Sequence, residues 1–383
     1  MNDLIILAGG KGTRIKDKLK NSSKPMVKIG SRNFLDYLLM NVSKFQFEKI
    51  FIIAGHKGHQ IKKKYDGKIY NLALVKVIVE EKLKGTAGSL FEIKHKIKNN
   101  FFIINGDTIF NINLLKLPEL VKSKSICSMA LVKNDNYISN SKLINLNLDK
   151  RFNVLYTYKK TRLMNGGIYF FKKNFLKLIK NQKASLENDI LPKLIKKKMI
   201  TGKIFKDYFL DIGTPKNLNT AKQKIPNLFN KPAIFLDRDG VINLDTGHLY
   251  QKKKLFFIKK TLKLLKKNKY KNYYLFIITN QAGISKAIYK ESEFINFQRY
   301  IQSELSKKNI FIDDIRYCPH HPQGKILKFK KICSCRKPKN KMITDILKKW
   351  QINKEKSFFI GDKITDYKAA KLSKLKYYNI NDI

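Results

Sequence analysis

Several things are scarce in this chain. Among its 383 residues are four cysteines, nine prolines and one tryptophan. Four clustered cysteines are too few for a secreted disulfide scaffold. No run of about 18 apolar residues occurs, which excludes an ordinary membrane-spanning helix. The opening MNDLIILAGGKGTRI places a short apolar run after acidic Asp3 and carries no basic leader. It reads as a buried first strand, not a signal peptide, and the expected location is the cytoplasm. Negative charge is scarce as well, with 29 acidic residues against 80 basic ones and a formal charge of +51. Such a charge invites a nucleic-acid reading. Yet only eight of the 80 are arginines, the residue best suited to bases and phosphates. The lysines are spread along the chain as solvated faces, so no specific nucleic acid is expected. Their field would still favour anionic metabolites.

What is present is globular: 43% apolar residues, 11% of the chain aromatic, in a length that suits two domains. Buried-strand candidates recur at 4–9, 49–55, 73–80, 101–106, 128–133 and 166–171, with helical segments such as 34–46 and 87–98 between them. This alternation predicts a mainly parallel α/β sheet. It runs down through NLNTAKQKIPNLFNKP (217–232) and restarts at AIFLDRDGVIN (233–243), YLFIITNQAGI (274–284), DIRYCPH (314–320) and SFFIGDKITD (357–366). We therefore expect two α/β domains, 1–228 and 231–383, with no internal repeat linking them. Polar residues gather where these strands end, which is where open α/β sheets place their ligands.

In LAGGKGTRI a strand runs directly into Gly9, Gly10 and Gly12, followed by Thr13 and Arg14. Glycines after a strand let backbone N–H groups close on phosphate oxygens, and a following helix would add its positive end. Neither a Walker loop nor a complete G-x-G-x-x-G is present, since Ile15 stands where the third glycine belongs. Other marks follow in order: SKPMVKIG with Lys24, GTAGSL at 85–90, NGD with Asp107, NGGIYFF from 165, LENDILPKL with Glu187 and FLDIGTP with Asp211. Two aspartates ending apolar strands suit a Mg²⁺ held through carboxylates and substrate phosphates.

This ordered set, over roughly residues 1–220, resembles the sugar-1-phosphate nucleotidyltransferases. The resemblance implies a Rossmann-like domain that joins a sugar phosphate to a nucleoside triphosphate, with guanine the expected base, and releases pyrophosphate. It also implies that Leu7, Ala8, Gly9, Gly10, Gly12, Thr13 and Arg14 hold the triphosphate and that Lys24 neutralises charge at the reacting phosphate. Gly85, Thr86 and Gly88 would line the base and sugar side. Asn165, Gly166 and Glu187 would touch the sugar, and Asp107 and Asp211 the Mg²⁺. The family's Glu-Lys pair before Asn-Gly-Gly is represented in YTYKKTRLMNGG only by Lys159 or Lys160.

In the second half, FLDRDGVIN sets Asp237 and Asp239 two positions apart after an apolar strand. With Thr279 and Asn280 in IITNQAGI, Lys337 in CRKP, and Asp362 and Asp366 in FIGDKITD, the set resembles the four motifs of haloacid-dehalogenase-like phosphatases. The resemblance implies that Asp237 attacks phosphorus and Asp239 serves as acid and then base. Mg²⁺ would be held by Asp237, Asp239 (through its carbonyl) and Asp362, and phosphoryl oxygens by Thr279 and Lys337. Only about 40 residues separate Asp237 from Thr279, too few for a cap domain there, so loops must choose the substrate.

Three of the four cysteines lie in CPHHPQGKILKFKKICSCRKP (318–338). A disulfide between Cys333 and Cys335 would be strained, and C-x-C is not the C-x-x-C redox spacing. Cys318, His320, Cys333 and Cys335 make a Cys₃His set in two close pairs, as structural Zn²⁺ is held. Closing the intervening loop costs about 3 kcal/mol, against roughly 10–16 kcal/mol from structural zinc in small peptides. The same loop occurs in a phosphatase subgroup that contains heptose-1,7-bisphosphate 7-phosphatases and histidinol-phosphate phosphatases. Fusion to a nucleotidyltransferase favours the first, because removing the 7-phosphate leaves the sugar 1-phosphate that the other half needs. The resemblance thus implies a bifunctional enzyme of nucleotide-activated heptose synthesis. The other readings are a different sugar with a histidinol-phosphate-type phosphatase, or a basic nucleic-acid-binding protein with degenerate domains. A homo-oligomer is compatible with any of them.

Overall fold

The computed structural model describes every residue except 11, 20, 134–144, 158–160 and 181. It divides into two compact units, Met1–Ile225 and Pro226–Ile383. The helix Pro215–Phe229 spans the division, so the segment 217–232, where the strand pattern runs down, is mostly helical.

The first unit is built on eight strands: β1 (Asp3–Ala8), β2 (Lys49–Ala54), β3 (Ile69–Tyr70), β4 (Ala73–Val79), β5 (Phe101–Asn105), β6 (Cys127–Lys133), β7 (Leu163–Phe171) and β8 (Ile200–Phe205). Their order is β8-β6-β7-β5-β1-β2-β4-β3. The centre β5-β1-β2-β4 is parallel. Strands β1, β2 and β5 are near-continuous apolar runs because both faces are covered, whereas β4 exposes Lys76. Leu4, Ile5 and Ile6 of β1 are fully buried, as are Ile50 and Ile52 of β2 and Ile103 and Ile104 of β5.

Three expectations need correction. β7 runs antiparallel to both β5 and β6, so this sheet is mixed, not mainly parallel throughout. Its pairing with β6 shifts register between Asn165 and Tyr169, where the Asn-Gly-Gly segment gives a bulge. The 87–98 helix is one α-turn, Gly85–Gly88, followed by a 3-10 stretch Ser89–Ile93. The helix after the glycine loop is likewise a six-residue 3-10 stretch, Thr13–Lys18, broken at Ile15. Among the described residues, the loop therefore leads into no α-helix.

The second unit is a five-stranded, wholly parallel sheet of β9 (Ala233–Leu236), β10 (Tyr274–Asn280), β11 (Asp314–Cys318), β12 (Phe358–Gly361) and β13 (Lys376–Asn379). The order β11-β10-β9-β12-β13 reverses direction at β9, whose end leads into Asp237. Ligands of such sheets bind where the strand order reverses. Strand β9 is much shorter than the apolar segment 233–243, because the chain turns at Asp237.

This sheet is anchored away from its site by Asp314, whose side chain is fully buried. Lys349 Nζ lies 2.7 Å from its carboxylate, Trp350 Nε1 donates at 3.1 Å and Arg316 Nη1 at 3.2 Å. Burial alone would raise this carboxyl, but Lys349 and Arg316 hold it down to about 2. A carboxyl depressed on folding contributes stability above its unfolded pKa and loses it as the pH falls through the folded value. We predict that Asp314→Asn lowers unfolding stability of this unit by about 3–5 kcal/mol at neutral pH. In urea titrations, wild type should lose that advantage between about pH 4 and pH 2. Equal stability of the two proteins at pH 7 would contradict this account.

Candidate active sites

The first unit contains a cavity of about 500 Å³ at the carboxyl ends of β1, β2 and β5. Leu7, Ala8, Gly9 and Gly10 line it from the end of β1. Gly12 makes the turn at φ +65°, while Thr13 and Arg14 are exposed at the start of the 3-10 stretch. On the far wall the 85–88 turn is fastened to residues 184–187. Ala87 N and Gly88 N donate to Ala184 O at 3.0 and 3.2 Å, and Thr86 Oγ1 donates to Glu187 Oε2 at 2.7 Å. Gly85, at φ +77°, must be glycine: a Cβ there would lie 2.4 Å from Ala184 O. Gly85, Thr86 and Glu187 line the cavity, whereas Gly88 packs behind them against Gln182 and Ala184.

The cations converge on one side. Lys24 is buried and ion-paired with Asp107. Burial would raise the Asp107 carboxyl, but the Lys24 ammonium outweighs it and holds the carboxyl below its ordinary value. Strand Thr108–Phe110 pairs with Phe209–Asp211 so that Asp211 faces Thr108, and Ile212 N donates to Asp107 O at 2.9 Å. The two aspartates are thereby neighbours. Asp211 Oδ1 accepts from Gly213 N at 2.7 Å, and Arg14 Nη2 and Lys24 Nζ both lie within 3.5 Å of the point where a Gly213 side chain would begin. Two hard carboxylate donors beside two cations fit a Mg²⁺ shared with phosphates.

Asn165 and Gly166 sit in the β7 bulge. The Asn165 amide bonds the Tyr169 hydroxyl and accepts from Gly167 N at 2.9 Å, and Gly166 packs on Phe110. Lys159 and Lys160 lie outside the described residues. Three cavity residues escaped the sequence reading: Glu80, Asn105 and Lys183. Glu80 Oε1 accepts from Ser89 Oγ at 2.7 Å, and burial raises its carboxyl above the ordinary value. Asn105 Oδ1 is buried without a donor among the described residues. For Glu80 and Asn105 the available signal was position, since each is the first polar residue at a strand's carboxyl end, whereas Lys183 lies in a loop before Leu186 and gave no such signal.

In the second unit the motif residues meet around one ammonium. Lys337 is 3% exposed. Its Nζ lies 2.9 Å from Asp237 Oδ1 and 2.6 Å from Asp366 Oδ1, and donates to Ile278 O at 2.9 Å. Burial opposes its charge, yet the two aspartates raise its pKa above the ordinary value. Asp237 is pushed up to about 7, chiefly by burial and against the pull of Lys337, with Asp366 adding to the rise. Carboxylate oxygens of Asp237, Asp362 and Asp366 gather within 4.8 Å of one another, and Asp362 Oδ1 is buried without a donor among the described residues. An oxygen-rich cluster with an unpartnered carboxylate oxygen fits Mg²⁺. Gly240, at φ +86°, lets the Asp-Arg-Asp-Gly turn close on it, because a Cβ there would lie 2.1 Å from Asp362 Oδ2.

The Asp239 carboxylate belongs to a different network. It accepts from Arg238 Nε and Nη2 at 3.0 and 2.8 Å, from Asn243 Nδ2 at 2.9 Å and from Gln281 Nε2 at 3.0 Å. Arg238, wholly buried against Phe294 and Phe297, was not among the predicted residues. Asp366, four residues beyond Asp362, joins the Asp237 and Asp362 cluster through Lys337, a role the motif pattern alone does not assign. Thr279 is buried with Oγ1 accepting from Gln281 Nε2 at 2.8 Å. Asn280 exchanges two hydrogen bonds with the Lys337 backbone, at 3.1 and 3.0 Å, and so positions that lysine.

Cys318, His320, Cys333 and Cys335 come together just before it. The sulfurs lie 3.2–3.5 Å apart, and His320 Nδ1 is 3.6 Å from Cys318 Sγ and 3.3 Å from Cys335 Sγ. None of the three cysteines is in a disulfide. A tetrahedral Zn²⁺ with Zn–S of about 2.3 Å would space its ligands about 3.8 Å apart, so the set fits with a slight expansion. His321 is not part of the cluster and accepts from Gln323 N at 3.2 Å. Arg336 Nη1 donates to His320 O at 3.3 Å, which ties the residue before Lys337 to this cluster.

No described helix is long and apolar enough to cross a membrane. The Nucleotidyl transferase family profile matches residues 4–227, and that of the Polynucleotide kinase 3 phosphatase family matches 235–381. A D-glycero-beta-D-manno-heptose-1,7-bisphosphate 7-phosphatase of Photorhabdus laumondii is 38% identical over 144 residues, which are 38% of this chain and 77% of that protein. The Escherichia coli K12 protein of the same name is 36% identical over 139 residues, covering 36% of this chain and 73% of the relative. HddC from Yersinia pseudotuberculosis, a solved structure, is 29% identical with a TM-score of 0.49, over 59% of this chain and all of that one. The chain belongs to the nucleotidyl transferase family, and its second unit to that of the haloacid-dehalogenase-like heptose-bisphosphate phosphatases.

Proposed function

We propose that this chain carries out two successive reactions of nucleotide-activated heptose synthesis. Residues 231–383 remove the 7-phosphate of D-glycero-D-manno-heptose 1,7-bisphosphate. Residues 1–228 then transfer a guanylyl group from GTP to heptose 1-phosphate and release pyrophosphate. The observation that carries this reading is the pairing, in one chain, of a heptose-bisphosphatase relative with a nucleotidyl-transfer cavity. The product of one has the anomeric phosphate that the other requires.

In the phosphatase, an Asp237 oxygen attacks phosphorus, and the bond to the sugar oxygen breaks to leave an aspartyl-phosphate. Asp239 gives the departing alkoxide its proton, then takes one from the water that cleaves the acyl phosphate to free phosphate and Asp237. Arg238, Asn243 and Gln281 hold that carboxylate in direction. Lys337 and Thr279 hold phosphoryl oxygens. Asp237, Asp362 and the Asp239 carbonyl would hold Mg²⁺, which offsets repulsion between carboxylate and phosphate. Cys318, His320, Cys333 and Cys335 would hold Zn²⁺ as scaffold.

In the nucleotidyltransferase, the sugar phosphate oxygen attacks the α-phosphorus and pyrophosphate leaves; positioning and charge do the catalysis. Arg14 and Lys24 neutralise the approaching anions, and Asp107 and Asp211 would hold Mg²⁺. Glu80 supports guanine as the base. A carboxylate can accept two adjacent N–H donors, and guanine offers N1–H and N2–H side by side.

Asp237→Asn is predicted to abolish phosphate release while pyrophosphate release from GTP and supplied heptose 1-phosphate continues. Loss of both would mean that the units do not work independently. Zinc chelation should lower phosphatase activity before circular dichroism reports unfolding, and full activity without zinc would remove the scaffold role. Glu80→Gln should cut kcat/KM for GTP by about 10–100-fold, the worth of one good bidentate base contact. It should also narrow the preference for GTP over ITP, which lacks the N2 amine; an unchanged ratio would rule out this base contact.

A further inference from the structure

The first unit has a second cavity that neither proposed reaction uses. Its volume is about 820 Å³. One 3-10 turn, Lys24–Met26, separates it from the nucleotidyl-transfer cavity: Lys24 and Pro25 line the first, Met26 the second. Leu19, Met26 and Val27 give it an apolar side. Around them stand Lys18, Lys28, Lys63, Lys64 and Lys222. Lys64 is paired with Asp36 at 2.7 Å, and the other four have no carboxylate partner among the described residues. The wall is braced, because Lys57 Nζ and Gln60 Nε2 both donate to Asn21, at 2.7 and 2.9 Å.

Four like charges around one concavity repel each other, and a multiply charged anion would relieve that repulsion. A further group asks for a donor. Asn33 lines the cavity and is 3% exposed; its amide nitrogen donates to Met26 Sδ at 3.3 Å, while its amide oxygen is buried without a donor among the described residues. A buried acceptor left unpaired costs about 1–3 kcal/mol. A ligand that satisfies all of this has phosphates for the lysines, a flat apolar body for the Leu19, Met26 and Val27 side, and an N–H or hydroxyl for Asn33. We propose that this cavity is a second ligand site, for a nucleotide with two or more phosphates, distinct from the nucleotidyl-transfer cavity.

The test is isothermal titration of the full chain with GDP as the probe. Wild type should bind two equivalents, and Lys28→Glu/Lys63→Glu should weaken one of them at least about tenfold while the other remains. Retention of that other site reports an intact fold. The control Lys173→Glu/Lys177→Glu changes two exposed lysines elsewhere in the unit and should keep both sites. Two sites equally weakened by the control would reduce the effect to the overall charge and overturn the proposal. If wild type binds one equivalent and Lys28→Glu/Lys63→Glu loses it, this proposal stands and the guanine reading of the other cavity fails. One equivalent retained in that variant would overturn it.

Discussion

The phosphatase unit depends on a single buried cation. An ammonium at the depth of Lys337 would not keep its charge alone. It does so because Asp237 and Asp366 lie within 2.9 Å of it. The reverse holds for Asp237, the proposed nucleophile, which is forced upward by burial and by Asp366 and restrained by Lys337. Three carboxylates face one ammonium, and a dication held by Asp237 and Asp362 would offset their repulsion toward a phosphate. Lys337 must therefore be held firmly. Ile278 and Asn280 grip it from β10, and the cysteine cluster fixes the chain two residues earlier. Scaffold and chemistry are joined through one short segment, Cys335-Arg336-Lys337.

The first unit meets the same problem, the approach of two anions, without a protein nucleophile. Its cations stand around the cavity instead of lying beneath the attacking group. Lys24 is buried and occupied by Asp107, while Arg14 is exposed on a short 3-10 stretch. The Lys24 ammonium holds the Asp107 carboxyl below its ordinary value, so that carboxylate is ready in the free protein. Rigidity comes from backbone-to-backbone fastening, above all between 85–88 and 184–187, which sets the cavity's width independently of any ligand.

Much of this was legible in the sequence because the chemistry sits at strand ends. Asp237, Thr279 and Asp107 each follow a run of buried apolar residues, and period and polarity suffice to find them. The cysteine set was legible for a related reason: four soft ligands in two close pairs have few structural uses. What escaped depends on tertiary pairing. The antiparallel course of β7 is set by neighbours far away in sequence. Arg238 lies between two motif aspartates and reads as a spacer until its guanidinium is seen to be buried on the second of them. Glu80 and Asn105 were missed because a charge or amide after a strand is usually a turn residue, and only the cavity distinguishes them.

The excess of lysine looks at first like the dominant fact about this chain, yet little of it does chemistry. Exposed charges are screened beyond about 8–10 Å at ordinary ionic strength, and most of these lysines are exposed. They raise the local concentration of any anion without choosing among anions. Choice needs desolvated groups with fixed direction. Lys24 and Lys337 qualify by burial. Glu80, an acidic residue in a chain of net charge +51, also qualifies: Ser89 fixes its direction in the cavity, where it is suited to the substrate donors proposed above. Attraction is thus spread over the surface, whereas discrimination rests on the few groups whose burial would otherwise be unfavourable.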